Sequence, residues 1–189
     1  VSIFPAGFAI YGLAEYFLAT KDEAAVALAI ETYDSVKADA LAWSGNKLLY
    51  PLPNSELVAH SVFMVYGLAL LELALVTGEK RILEEAKQIG EVIFSKFINP
   101  KSELMYEYIP LSRIQEEDPL SHVIIPGHAV ESMWFLVRLF NATGQEARID
   151  QLLAIIQTHL EIGWDQEFGG FFLAIDDRGC APHWREWDS

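Results

Sequence analysis

The sequence predicts an all-α domain of the α/α barrel type, because an apolar helical pattern recurs along it with a similar turn after each copy. The hexapeptide at 8–13, Phe-Ala-Ile-Tyr-Gly-Leu, returns at 63–68 as Phe-Met-Val-Tyr-Gly-Leu. A short polar turn follows each apolar stretch, at 19–22, 76–79 and 142–145. Glycine at a helix end adopts the left-handed conformation cheaply, and Lys21 replaces it in the first turn. The pattern therefore predicts helical hairpins.

Three hairpins are expected, with approximate spans 4–41, 57–98 and 127–163. The first helix of each pair is apolar nearly all round, as an inner helix is, and the second is amphipathic. Stacked solenoid hairpins are the alternative, but their repeats are usually about 34–47 residues, against roughly 60 here. Three hairpins make half of an (α/α)6 toroid, so we expect residues 1–189 to form a single barrel domain that is incomplete at both ends.

Long connections separate the hairpins, at 43–56, 99–126 and 163–189. Loops at one end of a helical barrel are where a site is expected. In the last connection, 169–175 followed by 176–179 predicts a small β-hairpin.

Composition excludes several classes of function. The formal net charge of -14 disfavours binding to nucleic acid or to anionic membranes. Cys180 is the single cysteine, so no internal disulfide forms and a cytoplasmic location is expected. The apolar stretch 57–76 approaches the length of a membrane span, but it contains His60 and Glu72 and is interpreted as a buried core helix.

The start of the third inner helix carries the best candidates for catalysis, His128 and Glu131. Positions i and i+3 share a helix face, so the carboxylate can orient the imidazole or hold it protonated. Histidine is the natural group for moving a proton near neutral pH, and Trp134 is expected to add an aromatic wall on roughly the same face. From spacing alone, a histidine that merely caps the helix start is an equally good interpretation.

Other candidate residues are less specific. No second histidine stands at metal-ligand spacing from His128, so no metal site is predicted. His60 opens the second inner helix and faces the same cavity or caps the helix. Candidate substrate-binding residues are Trp134, Glu107, His60 and Asp165. His159 lies on an outer helix and is expected to be irrelevant, and no nucleotide or nucleophile-elbow motif is present.

Three segments carry a resemblance to a known family. Residues 126–136, Pro-Gly-His-Ala-Val-Glu-Ser-Met-Trp-Phe-Leu, resemble the PGHxxExxWFL signature of the N-acylglucosamine 2-epimerase family. Residues 163–172 are similar to that family's GWD-x-E-x-GG segment, and Glu186-Trp187-Asp188 to the lead-in of its Lys-x-Trp-Trp motif. The opening at 8–16 also fits, so the resemblance covers most of the chain.

The resemblance implies an (α/α)6 barrel that transfers a proton at C2 of a ring-opened sugar without a metal or other cofactor. It implies that two histidines act on opposite faces of the sugar, with His128 as the first and Glu131 as its supporting carboxylate. The second histidine and an essential arginine lie outside the matched portion. The chain alone is therefore expected to be inactive, with ATP as a possible effector and a homodimer as a possible assembly.

The expected function is an isomerase that interconverts N-acylglucosamine and N-acylmannosamine or a related aldose. An aldose–ketose isomerase acting on mannose is the alternative within the family. A glycoside hydrolase would need two facing carboxylates, for which Glu107 and Glu131 are the candidate pair. A non-catalytic binding protein remains a third class, because the family includes a renin-binding protein.

Overall fold

The computed structural model describes residues 3–40, 57–110 and 119–177, which form three helical hairpins. The first pairs α1 (Phe4–Thr20) with α2 (Glu23–Ala40), the second α3 (His60–Thr77) with α4 (Lys80–Val92), and the third α5 (Pro126–Thr143) with α6 (Ile149–Gly163). A π-helical turn, Ile93–Phe97, extends α4, and 3-10 turns precede β3 and α6. The predicted all-α class and the three hairpins are confirmed.

The three inner helices end in the same way. Lys21, Gly78 and Gly144 all take left-handed backbone conformations, with φ of 61°, 70° and 70°. Each donates its backbone N–H to the carbonyl four residues earlier, which satisfies one of the free acceptors at the helix end. The recurring turn in the sequence is thus a recurring cap, and Lys21 adopts it despite its side chain.

Two short antiparallel strand pairs lie where the chain enters α3 and α5. β1 (Leu57–Ala59) pairs with β2 (Tyr108–Pro110), and β3 (Val123–Ile124) pairs with β4 (Ile175–Asp176). The prediction of a β-hairpin over 169–179 is wrong for the part that the structure describes, because residues 175–176 pair with β3 instead. Residues 178–179 lie outside the described part. Asp177 secures the pair by accepting hydrogen bonds from Tyr106 Oη and His122 Nδ1, both at 2.7 Å.

Helix α3 is the centre of the core, since it packs on α1, α4 and α5 and is buried along most of its length. Within the described segments, it is the one helix long and apolar enough to span a membrane, and 72% of it is buried inside the protein. That burial by neighbouring helices agrees with its interpretation as a core helix.

Close packing around α3 and α4 depends on two residues without side chains. A Cβ at Gly67 would lie 2.7 Å from the ring of Phe135, and one at Gly90 would lie 2.5 Å from Leu139. Both contacts are with α5, so these glycines set how near the third hairpin approaches the second. Gly12 occupies the place of Gly67 in the first copy of the repeat, yet it has no described atom within 4 Å of a built Cβ.

The different surroundings of Gly67 and Gly12 allow a matched test of packing. Gly67→Ala should lower the free energy of unfolding by about 1–3 kcal/mol, because the added methyl forces the Phe135 ring to shift. Gly12→Ala should leave stability unchanged or raise it by up to about 1 kcal/mol, because alanine is the better helix former. Urea unfolding followed by circular dichroism measures both, and equal effects at the two positions would contradict the proposed contact.

Candidate active site

The strand pairs bring Glu107 to the entrance of two inner helices. His60 N donates to the carbonyl of Glu107 at 2.7 Å, and Glu107 N donates to the carbonyl of Val123 at 2.8 Å. One side of Glu107 is thereby tied to the start of α3 and the other to the strand leading into α5. The side chain of Glu107 is 2% exposed and reaches both helix starts.

The carboxylate of Glu107 gathers donors from both helices. His128 Nδ1 lies 2.8 Å from Oε2, the backbone N–H of Ser61 donates to Oε1 at 3.3 Å, and His60 Nδ1 lies 3.5 Å from Oε2. A buried carboxylate without such partners would be strongly destabilising. The histidines and the amide compensate for the loss of hydration.

These contacts set the charge state of the pair. Burial alone would raise the pKa of Glu107, but the hydrogen bond of His128 and the charges of His128 and His60 lower it to about 2. Burial tends to lower the pKa of His128, yet the hydrogen bond and charge of Glu107, with a further charge from Glu131, raise it above its ordinary value. Glu107 is therefore ionised across the physiological range.

An ionised carboxylate only accepts hydrogen bonds, so the tautomer of His128 is assigned by its partner. Nδ1–H of His128 donates to Glu107, which leaves Nε2 as the nitrogen that can exchange a proton. The side chain of His128 is 34% exposed, whereas that of Glu107 is buried beneath it. The arrangement is that of an oriented acid/base group backed by a fixed negative charge.

His60 lies below this pair and corrects the expectation that it binds substrate or caps α3. Its side chain has no exposed surface, so it cannot reach a sugar. Nε2 lies 2.7 Å from the Ser132 hydroxyl on α5, and the ring packs edge-on against Phe97 with centroids 5.4 Å apart. His60 thus joins α3 to α5 under the candidate site.

Glu107 was expected to bind substrate or to form a hydrolase pair with Glu131, and its position in the structure fits neither role. Its carboxylate is buried and occupied by protein donors, so it does not face Glu131 across an open space. The partner expected for His128 was Glu131, but His128 Nδ1 donates its hydrogen bond to Glu107 instead. Glu131 is exposed on α5 and acts on His128 through its charge.

Trp134 lies on the exposed side of α5 and is 42% exposed. The guanidinium of Arg138 lies over its ring at 5.3 Å, and Arg138 in turn forms an ion pair of 2.6 Å with the buried Glu72 of α3. Successive residues turn by about 100° in an α-helix, so Trp134 shares a face with Glu131 rather than with His128. Its predicted contact with a sugar stays a prediction.

His159, expected to be irrelevant, holds the segment that carries Glu107. It is fully buried, its Nδ1–H donates to the carbonyl of Ile155 at 2.7 Å, and its Nε2 accepts from the backbone N–H of Met105 at 3.0 Å. Burial lowers the pKa of His159, which favours the neutral ring that both contacts require. The sequence offers no local signal for this role, because the partner is 54 positions away.

Asp165 closes a turn at the end of α6, and its expected role as a substrate ligand stays a prediction. Its Oδ1 accepts from the backbone N–H groups of Glu167 and Phe168, at 2.8 and 3.1 Å, and so closes its own turn. Next to this turn, Gly163 packs so closely on Pro126 that a Cβ would lie 2.7 Å from it. The turn therefore supports the start of α5 from outside.

Comparison with known proteins identifies the family of this chain. The sequence profile described as N-acylglucosamine 2-epimerase (GlcNAc 2-epimerase) matches residues 2–187. The chain belongs to the N-acylglucosamine 2-epimerase family. A curated N-acylglucosamine 2-epimerase from Bos taurus is 37% identical over 65 residues, which cover 33% of this chain and 15% of that protein.

Solved structures of the (α/α)6 fold are similar to this chain at low sequence identity. Cellobiose 2-epimerase from Bacillus thermoamylovorans superposes with a TM-score of 0.74 at 15% identity, over 93% of this chain and 48% of that one. A D-mannose isomerase gives 0.72 at 19% identity, over 96% and 50%. The chain spans about half the length of these structures.

The partner of His128 can be tested by NMR titration of its imidazole. Glu107→Gln should lower the pKa of His128, because both the charge and the charged acceptor are lost. Glu131→Gln is the matched control and should lower that pKa by less, because Glu131 contributes only charge. An equal or larger shift in Glu131→Gln would show that Glu107 is not the dominant partner.

The ionised state of Glu107 also predicts acid sensitivity. Its pKa is about 2 in the folded chain and 4.5 ordinarily, so its contribution to stability is complete above pH 4.5 and is lost as pH falls toward 2. The free energy of unfolding, measured in urea between pH 5 and 3, should fall more steeply for the unsubstituted chain than for Glu107→Gln. Parallel curves would contradict the low pKa.

Proposed function

We propose that the protein carrying this chain is a sugar epimerase or isomerase that moves a proton at C2 of a ring-opened sugar. The observation that carries the proposal is the hydrogen bond of 2.8 Å between His128 Nδ1 and the buried, ionised Glu107. It fixes the imidazole so that Nε2 is the base. Family membership gives the reaction class, and the oriented histidine gives a group able to perform it.

The C2 proton of an aldose is weakly acidic because the neighbouring carbonyl stabilises the enolate that its removal produces. His128 Nε2 accepts this proton and becomes an imidazolium, whose positive charge is stabilised by Glu107 at Nδ1. Glu107 is a positioning residue here, since it contacts the histidine and is buried away from substrate.

The product depends on the carbon, and the face of that carbon, to which the proton returns. An epimerase returns it to the opposite face of C2, which requires a second acid/base group. An isomerase places a proton on C1 and releases a ketose. The family resemblance assigns the second histidine and an essential arginine to sequence beyond the matched motifs. We propose interconversion of N-acylglucosamine and N-acylmannosamine, with a mannose-type aldose–ketose isomerase as the second candidate.

Substitution of His128 tests the assigned role. His128→Asn in the protein that carries this chain should lower kcat by about 10²–10⁴-fold, the usual contribution of a positioned acid/base group. Glu84→Gln, an exposed change on α4, is the control and should retain full turnover. Unchanged turnover in a folded His128→Asn protein would remove His128 from the mechanism. If the unsubstituted protein binds a partner protein but turns over no sugar, a non-catalytic binding role would be favoured.

Solvent isotope labelling separates the two candidate reactions. In D₂O, epimerisation should place deuterium at C2 of the product aldose and yield no ketose. Formation of fructose from mannose, detected by NMR or chromatography, would instead support the isomerase. Release of reducing ends from an oligosaccharide would contradict both and favour a hydrolase.

A cytoplasmic location and a homodimeric assembly are part of the proposal, on the grounds of the single cysteine and the family resemblance. Cell fractionation and light scattering test them.

A further inference from the structure

We propose that His60, Glu107 and His128 bind a divalent transition metal of the Zn²⁺ type, and that the bound metal inhibits His128. The binding itself is independent of the proposed function, whereas the inhibition rests on it. The ligand atoms would be His60 Nδ1, Glu107 Oε2 and His128 Nδ1. One ligand atom from each of the three residues lies within 4.8 Å of the other two.

The separations are close to those of a metal centre. Ligand atoms about 2.0–2.2 Å from a tetrahedral Zn²⁺ lie roughly 3.3–3.5 Å from each other. His60 Nδ1 and Glu107 Oε2 are already 3.5 Å apart. His128 Nδ1 is 2.8 Å from the same oxygen, so this edge would have to open by roughly 0.6 Å. His128 is the most exposed of the three side chains, which makes it the one able to move.

One of the ligand atoms has no ordinary hydrogen-bond partner among the described residues. His60 Nδ1 is buried, and its distance of 3.5 Å from the carboxylate gives a charge contact rather than a good hydrogen bond. Its other nitrogen, Nε2, lies 2.7 Å from the Ser132 hydroxyl. A metal-binding histidine typically has this arrangement, with one nitrogen on the metal and the other held by a second group.

The chemistry of the three atoms selects the metal. Two imidazole nitrogens and one carboxylate oxygen suit Zn²⁺, Ni²⁺ or Cu²⁺ and leave a coordination position open for water. Mg²⁺ and Ca²⁺ prefer sites made of oxygen ligands alone.

A metal on Nδ1 of His128 inhibits proton transfer at Nε2, because both nitrogens belong to the same imidazole ring. A neutral imidazole that coordinates through Nδ1 carries its proton on Nε2. Metal binding therefore shifts the proton of a neutral His128 ring from Nδ1 to Nε2 without net release, and it releases the Nδ1 proton of a charged ring. In both cases Nε2 carries a proton and can no longer accept the one from C2. In His60 the same shift turns Nε2–H toward the Ser132 hydroxyl, which then accepts the hydrogen bond.

Calorimetry and thermal unfolding of the chain test the site. Zn²⁺ should bind with one ion per chain and raise Tm, EDTA should reverse the shift, and Mg²⁺ and Ca²⁺ should have no effect. His128→Asn should weaken Zn²⁺ binding by at least about tenfold. His122→Asn is the matched control, because it removes a partly exposed histidine outside the cluster and should leave the affinity unchanged.

Several outcomes would overturn the proposal. Unchanged Zn²⁺ affinity in folded His128→Asn, or a loss in His122→Asn instead, would place the ion elsewhere. Absence of saturable binding to the folded, unsubstituted chain would remove the site altogether. Stoichiometric binding without any change in the His60 and His128 imidazole NMR signals would also contradict it.

The inhibition has its own readout in the protein that carries this chain. Equimolar Zn²⁺ should reduce turnover and EDTA should restore it, whereas binding with full turnover would refute the inhibitory part alone. An absence of turnover before any metal is added would count against the proposed function and leave the binding result standing.

Discussion

The candidate site depends on one buried carboxylate. Glu107 is ionised, is almost without exposed surface, and keeps its charge only because His128, His60 and the Ser61 amide surround it. A charge in that position is strongly destabilising when any partner is withdrawn. Helices α3 and α5 must therefore both be in place for the site to exist, and their packing through Gly67 and Phe135 is a condition for the chemistry at His128.

The short strand pairs place the Glu107 carboxylate at the candidate site. Neighbouring residues of an extended segment point to opposite sides, so a slip of one residue in β2 would replace Glu107 by a tyrosine. Tyr106 in fact points to the other side, where its hydroxyl donates to Asp177. Backbone bonds from His60 and to Val123 on either side of Glu107, together with His159 on Met105, exclude such a slip. Pairs only two or three residues long thus fix the register of the functional residue.

The sequence predicted the helices and the position of His128, but not that Glu107 is the residue that orients the His128 ring. Helical periodicity and the recurring turn are local signals, so they can be read from a single chain. Spacing within a helix shows only i+3 and i+4 neighbours, and it therefore pointed to Glu131. Glu107 lies 21 residues before His128, His60 lies 72 residues before Ser132, and His159 lies 54 residues after Met105. Those contacts join elements far apart in the sequence, and the strand pairs beside Glu107 are too short to give an alternating pattern.

Proton transfer and metal binding require opposite protonation states of His128 Nε2. When Nδ1 of His128 donates to Glu107, Nε2 is a free base; when Nδ1 holds a metal, Nε2 is protonated and the base is lost. The negative charge that holds the ring for catalysis is also what would attract a cation, so selection cannot remove one property without weakening the other. What separates the two states is access. His60 and Glu107 have almost no exposed surface, and His128 is the partly exposed member of the three. Tighter packing over His128 would protect the base from metals, but it would close the same approach to the sugar.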